Sequence, residues 1–117
     1  MQNLDQTRAR NALKLGPVSG DKGGEVIKKV PSLILNHGLL ATAAYSFTEK
    51  EGWQKVFDAI AQHLADPDVA VAPKDCTDRE KLMKFLTDSK TTSETLKLAT
   101  AETMAWLTYA RRFVKKG

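Results

Sequence analysis

A chain of 117 residues, 42% hydrophobic and 27% charged, has the make-up of an ordinary globular domain, of a size that buries well over half its surface on folding. Its single cysteine, Cys76, excludes an internal disulfide, and its two scattered histidines exclude a zinc site of the usual ligand spacing. The net charge of +4 is concentrated at the two ends: residues 1–30 hold six Lys/Arg against three Asp/Glu and residues 91–117 five against two, while the stretch between is acidic or neutral.

The polar start, MQNLDQTRAR, lacks the run of about 7 to 15 apolar residues that a secretory signal carries, which points to a cytoplasmic protein. Asn3 with Gln6 has the cap-x-x-amide spacing in which two side chains satisfy orphan backbone donors reciprocally, and it opens a first helix from about Leu4 to Leu15. Glycine and proline in GPVSGDKGG stop that helix. The basic segment EVIKKV leads into Pro31, which either opens an apolar helix or kinks a longer one; both geometries put Lys28 and Lys29 at a bend.

Residues 30–47, VPSLILNHGLLATAAYSF, carry no formal charge when His37 is neutral. Their length approaches the roughly 20 apolar residues of a membrane span. Asn36, His37, Thr42 and Ser46 would all have to be desolvated there, so no membrane contact is expected and the segment reads as the central buried helix of a bundle. In that helix Asn36 is satisfied by a neighbouring backbone, Gly38 permits a close helix approach, and His37 is a structural histidine.

Thr48 with Glu51 caps the next helix, from about Glu51 to Asp66, where Trp53, Val56, Phe57, Ile60, Ala61 and Leu64 form a core stripe. His63, near its end, is less distinctive still than His37. DPDVAVAPKDC is a loop holding Cys76 as a free thiol. Asp66, Asp68, Asp75 and Asp78 lack the oxygen-ligand spacing of a calcium loop and read as solvated loop and cap residues. Thr77 with Glu80 opens a helix from about Asp78 to Ser89, and Thr91 with Glu94 opens the last, from about Ser93. On that last helix Leu96, Ala99, Trp106, Leu107, Ala110, Phe113 and Val114 share one side, and Lys97, Arg112, Lys115 and Lys116 the other.

The expectation is an all-α fold: a compact single-domain bundle of about five to six helices over residues 1–117. No Gly-rich phosphate loop, no metal-ligand pair at i, i+4 and no nucleophile beside a base can be found, so neither catalytic residue, metal nor cofactor is expected. A phosphotransfer role for His37 needs an exposed imidazole on a polar surface, and its neighbours are apolar. If the terminal helices pack side by side, their positive excesses merge into a basic surface of the kind that binds polyanions. The competing explanation for cations in a last helical turn is dipole complementarity, about 0.3 to 1 kcal/mol, which does not reach Lys97.

LDQTRARNA, KKVPSLILNHGLL and TAETMAWLTYARRF resemble, in this order, the three blocks of the Cmr small-subunit family. These are the small helical subunits of the type III-B CRISPR ribonucleoprotein, which uses a guide RNA to recognise complementary foreign transcripts. Matching positions are Gln6, Arg8 and Ala12; Pro31, Ile34, Asn36, Gly38 and Leu39; and Thr100, Glu102, Leu107, Arg111, Arg112 and Phe113. Tyr109 and Ala110 stand where the family usually has tryptophan and leucine, and Ala41 lies near a frequent glutamine. The resemblance implies a non-catalytic subunit that stacks with copies of itself along the complex, beside the backbone subunits and the large subunit, lining the path of guide and target RNA. Cleavage of target RNA and nucleotide chemistry belong, in that resemblance, to those other subunits.

Within this frame Arg8, on the same side of the first helix as Leu4 and Leu15, is expected to be half-buried and to form a structural ion pair with Glu102. Lys28 and Lys29 are the leading phosphate contacts, with Arg111, Arg112 and Lys115 as a second group. Trp53, Phe57, Trp106 and Phe113 fall on packed stripes, which favours contact with the RNA backbone over stacking on bases. Two other functions fit the same residues: an independent helical nucleic-acid-binding domain, and an adaptor whose basic ends dock acidic protein partners.

Overall fold

The cap at Asn3 forms as its spacing predicts: Asn3 N–H donates to Gln6 Oε1 at 3.1 Å and Gln6 N–H to Asn3 Oδ1 at 2.8 Å. It starts the first of five helices in a computed structural model that describes residues 3–15, 24–49 and 51–113. The helices are α1 (Leu4–Leu15), α2 (Gly24–Ser46), α3 (Glu51–Ala65), α4 (Arg79–Thr87) and α5 (Ser93–Arg112), with no strand among the described residues. The fold is all-α. None of these helices is long and apolar enough to cross a membrane.

The caps of α4 and α5 each fall one residue beyond the predicted position. Asp78, extended at φ −146 and ψ 172, accepts the Lys81 N–H and caps α4, while Asp58 on α3 accepts the Arg79 N–H at 2.7 Å. Thr92 caps α5 by accepting the Thr95 N–H at 3.1 Å, and Thr91 instead donates its hydroxyl to Phe85 O at 2.7 Å. At both sites two adjacent residues have capping side chains, and the second of each pair, with extended backbone, takes the role. Thr48 donates to Tyr45 O at 2.8 Å; the Glu51 side chain lies outside the described residues.

The central helix is α3, which packs against all four others. Its predicted stripe, Trp53, Val56, Phe57, Ile60, Ala61 and Leu64, is buried throughout, joined by Leu82 and Leu86 from α4 and by Ala99, Trp106, Leu107 and Ala110 from α5. The uncharged segment 30–47 is not the central element. As part of α2 it buries Val30, Ile34, Leu39, Thr42, Ala43 and Ser46 on one side and leaves Leu35, Asn36, His37, Leu40, Ala41 and Tyr45 exposed on the other. Lack of charge marked the segment as apolar without saying which side meets the core.

Pro31 lies inside α2, which begins seven residues earlier, so it does not open the helix, and Lys28 and Lys29 lie within α2 and not before it. The break is at Gly38, with φ 86 and ψ 165, a region that essentially only glycine occupies. A Cβ built there meets nothing within 4 Å, so the glycine serves backbone conformation and not the predicted close approach. After the break Thr42 donates to Gly38 O at 2.8 Å, and beyond the helix the Arg79 guanidinium donates to Ser46 O at 2.7 Å while lying 4.1 Å from the Phe47 ring centroid. One arginine thus ties the end of α2 to the start of α4.

Candidate functional site

The most elaborate polar constellation lies where α1, α3 and α5 meet. Arg8 and Asn11 are three residues apart on α1 and so share a face. The Arg8 guanidinium makes a two-pronged contact with Glu102 of α5, Nε to Oε2 and Nη2 to Oε1, both 2.8 Å, and donates to Asp5 at 3.0 Å. The Glu102 side chain is 5% exposed and that of Arg8 21%. His63 of α3, 1% exposed, places Nε2 2.9 Å from Glu102 Oε2 and Nδ1 2.9 Å from Asn11 Nδ2. Its ring stacks on Trp106 with centroids 6.1 Å apart.

The hydrogen bonds decide the protonation state of the imidazole. Asn11 Nδ2 also donates to Asp66 Oδ2 at 3.0 Å, and a carboxylate only accepts, so the amide nitrogen must point inward. His63 Nδ1 therefore accepts, and Nε2–H donates to Glu102: the ring is neutral. Burial pushes the His63 pKa down, against the opposing pull of Glu102. Burial works against the Glu102 carboxylate too, but the hydrogen bonds from Arg8 and His63, with their charges, outweigh it and hold the carboxyl below its ordinary range. Asp66 behaves alike: burial opposes it, and Asn11, the Asp68 N–H, Arg10 and Lys14 keep it ionised. The Arg8 guanidinium is held above its ordinary value by its bond to Glu102.

This network is a clasp without reactive geometry. Every heteroatom of the imidazole is bound, and no nucleophile stands beside it. Sequence reasoning passed over Asn11, read His63 as undistinctive and took Asp66 for a solvated loop or cap residue; in the structure the Asp66 side chain is only 14% exposed and is bonded to Asn11. The signal was present for one of them: His63 follows Trp53, Val56 and Ile60 at three- and four-residue steps and so falls on the packed stripe of α3. His37, taken as the structural histidine, is exposed.

The predicted phosphate contacts lie apart from the clasp. Lys28 and Lys29 are exposed within the first turns of α2; Arg111 and Arg112 are exposed in the last turn of α5; Lys115 lies outside the described residues. None of the four described cations has an ion-pair partner among the described residues. On α1 the picture is different. Helices α1 and α5 do pack together, yet Arg8 is held by Glu102 and Asp5, and Arg10 lies 3.3 Å from Asp68 and 3.8 Å from Asp66, so the positive excess of the amino-terminal segment is partly cancelled locally. Cys76 is the loop thiol expected, but it is buried: burial first, then Asp75 and Asp78, push its pKa up to about 11, which leaves it an unreactive thiol.

A family model described as CRISPR-associated protein (Cas_Cmr5) matches residues 5–116. The chain belongs to this family. No curated protein and no solved structure gives a significant match. As a Cas_Cmr5 protein it is a subunit of the type III-B Cmr complex, associated with the other Cmr subunits, in a family of small structural subunits. The Cas_Cmr5 match takes in Arg8, Asn11, His63, Asp66 and Glu102, so the clasp between α1, α3 and α5 falls wholly within the family's span.

Proposed function

We propose that the protein is a non-catalytic building block of the guide-RNA-directed complex, stacking in copies along it and holding the ribose-phosphate backbone of guide or target RNA. The observation that carries this reading is the pair of exposed cation sites without an ion-pair partner among the described residues, Lys28 with Lys29 on α2 and Arg111 with Arg112 on α5; Lys115, outside the described residues, is proposed to join the second from the sequence alone. Cations held by Coulomb attraction alone read phosphate without regard to base sequence, as a subunit serving any guide requires. Protein contacts fall to the open side of α2 and its neighbour α5, where Leu35 is 75% and Leu98 57% exposed. This work takes place in the cytoplasm, where foreign transcripts are met.

The test uses the assembled Cmr complex, because a few contacts per copy become strong only when several copies act on one strand. Lys28→Glu with Lys29→Glu, in a complex of unchanged subunit content, is expected to lower the slope of log affinity for target RNA against log salt by about two units per altered copy in contact, equally for unrelated guides. An unaltered slope removes both residues from the site.

A further inference from the structure

Between the end of α1, the outer side of α3 and the loop before α4 lies a cleft of about 490 Å³. Lys14, Lys55 and Lys74 line it, one from each of the three elements. Among the described residues none of the three has an ion-pair partner. Local causes do not explain the grouping. Lys14, in the last turn of α1, complements the helix dipole; Lys55 stands in the first half of α3, nearer its positive end, and Lys74 is on no helix at all.

Two carboxylates share the cleft and both are already engaged. Asp58 accepts the Arg79 N–H at 2.7 Å, and Asp66 accepts from Asn11 at 3.0 Å and from the Asp68 N–H at 2.9 Å. His63, at the back of the cleft, is neutral. With three lysines against two carboxylates, the described lining keeps a small positive excess, and both carboxylates already have hydrogen-bond donors of their own. Among the described residues no Phe, Tyr or Trp lines it, and the His63 ring is buried against Trp106, so contact with phosphate is favoured over stacking on a base.

We propose that this cleft is a phosphate site, separate from Lys28, Lys29 and the α5 arginines, that takes the phosphate of a nucleotide unit through Lys14, Lys55 and Lys74. Lysine suits the task as a compact charge with three donors that adapts to a tetrahedral anion. The volume falls within the roughly 300 to 1,000 Å³ of ligand pockets, enough for the phosphate with its ribose. The phosphate comes either from a free mononucleotide or from an RNA strand. The inference does not depend on the reading above, because it holds or fails on the isolated chain.

The experiment follows backbone amide shifts of the isolated full chain on addition of adenosine monophosphate, and separately measures anisotropy of a fluorescent ten-nucleotide RNA of mixed sequence. The comparison protein is K14S/K55S/K74S, whose changed side chains make no hydrogen bond or ion pair among the described residues and whose circular dichroism is expected to match the parent. Shifts at Asp58, Gln62 and Asp66 are expected on adding the mononucleotide, with binding weakened about tenfold or more in the triple variant. If RNA affinity falls with it, the strand is the source; if RNA affinity is unchanged, the free mononucleotide is. Mononucleotide that leaves those amides unmoved in the parent, or binds equally well to the triple variant, overturns the proposal. K28E/K29E serves as the control that keeps the cleft shifts.

Discussion

Glu102 is the residue on which the clasp turns, because it is a buried carboxylate shared by a guanidinium and an imidazole. Arg8→Ala leaves that charge without its cation. A lone buried charge costs about 3 to 5 kcal/mol, and the partial exposure of Arg8 places the expected loss near 3 kcal/mol in urea unfolding of the isolated chain. An unchanged unfolding midpoint together with weakened RNA binding would make Arg8 a ligand and not a strut. The pH dependence has a definite sign. His63 has a lowered pKa in the fold, so the unfolded chain takes up the proton first; its contribution is present above about pH 6.5 and is lost as the pH falls below that value. Glu102, also lowered, adds a second loss below about pH 4.5, when the unfolded chain takes up that proton first as well. The urea midpoint should therefore decline in two stages on acidification, and His63→Gln should flatten the first of them.

At the scale of the helix, α2 shows how one residue divides an element that hydropathy reads as continuous. Pro31 gives up the N–H that would bond to Ile27 O, yet the backbone stays helical through it; Gly38, without any steric reason, leaves the helical region altogether. The segments on either side of Gly38 can then bury Ile34 and Leu39 in the same core while Leu35 and Leu40 face outward. Gly38→Ala forces a side chain into a backbone conformation that costs about 1 to 3 kcal/mol, and the melting temperature should fall accordingly. A variant as stable as the parent would mean that α2 straightens into an ordinary helix. The caps at Asp78 and Thr92 act at this scale as well, since each satisfies an exposed backbone N–H and sets where its helix begins.

Over the whole molecule, charge is distributed in two regimes. Cations near the α1–α3–α5 junction are engaged by Asp5, Asp66, Asp68 and Glu102, whereas Lys28, Lys29, Arg111 and Arg112 on the open parts of α2 and α5, and Lys14, Lys55 and Lys74 around the α1–α3 cleft, make no direct ion pair among the described residues. The first set holds helices together and the second is available to a polyanion. The histidine in the core is bound at both nitrogens and the cysteine is buried with a raised pKa, so neither of these two side chains is placed to act as a general base or a nucleophile. The isolated protein is accordingly expected neither to cleave RNA nor to hydrolyse nucleotides with magnesium or manganese present. Turnover that survives further purification would contradict this.

Helix positions follow from local rules, and these were legible in the sequence. The period of the α3 stripe, the Asn3–Gln6 cap and the glycine-rich stop after Leu15 each depend on neighbours within a turn or two, and the three sequence blocks were enough to suggest the family. The Arg8–Glu102 contact was anticipated only by packing the two terminal blocks together, for those residues are 94 apart in the chain. Asn11 and His63, 52 apart, gave no such cue. Which histidine is buried, which side of α2 faces solvent and which lysines share a cleft are settled by how the helices stack. Hydropathy measures a residue's cost in water, and tertiary packing alone determines whether water reaches it.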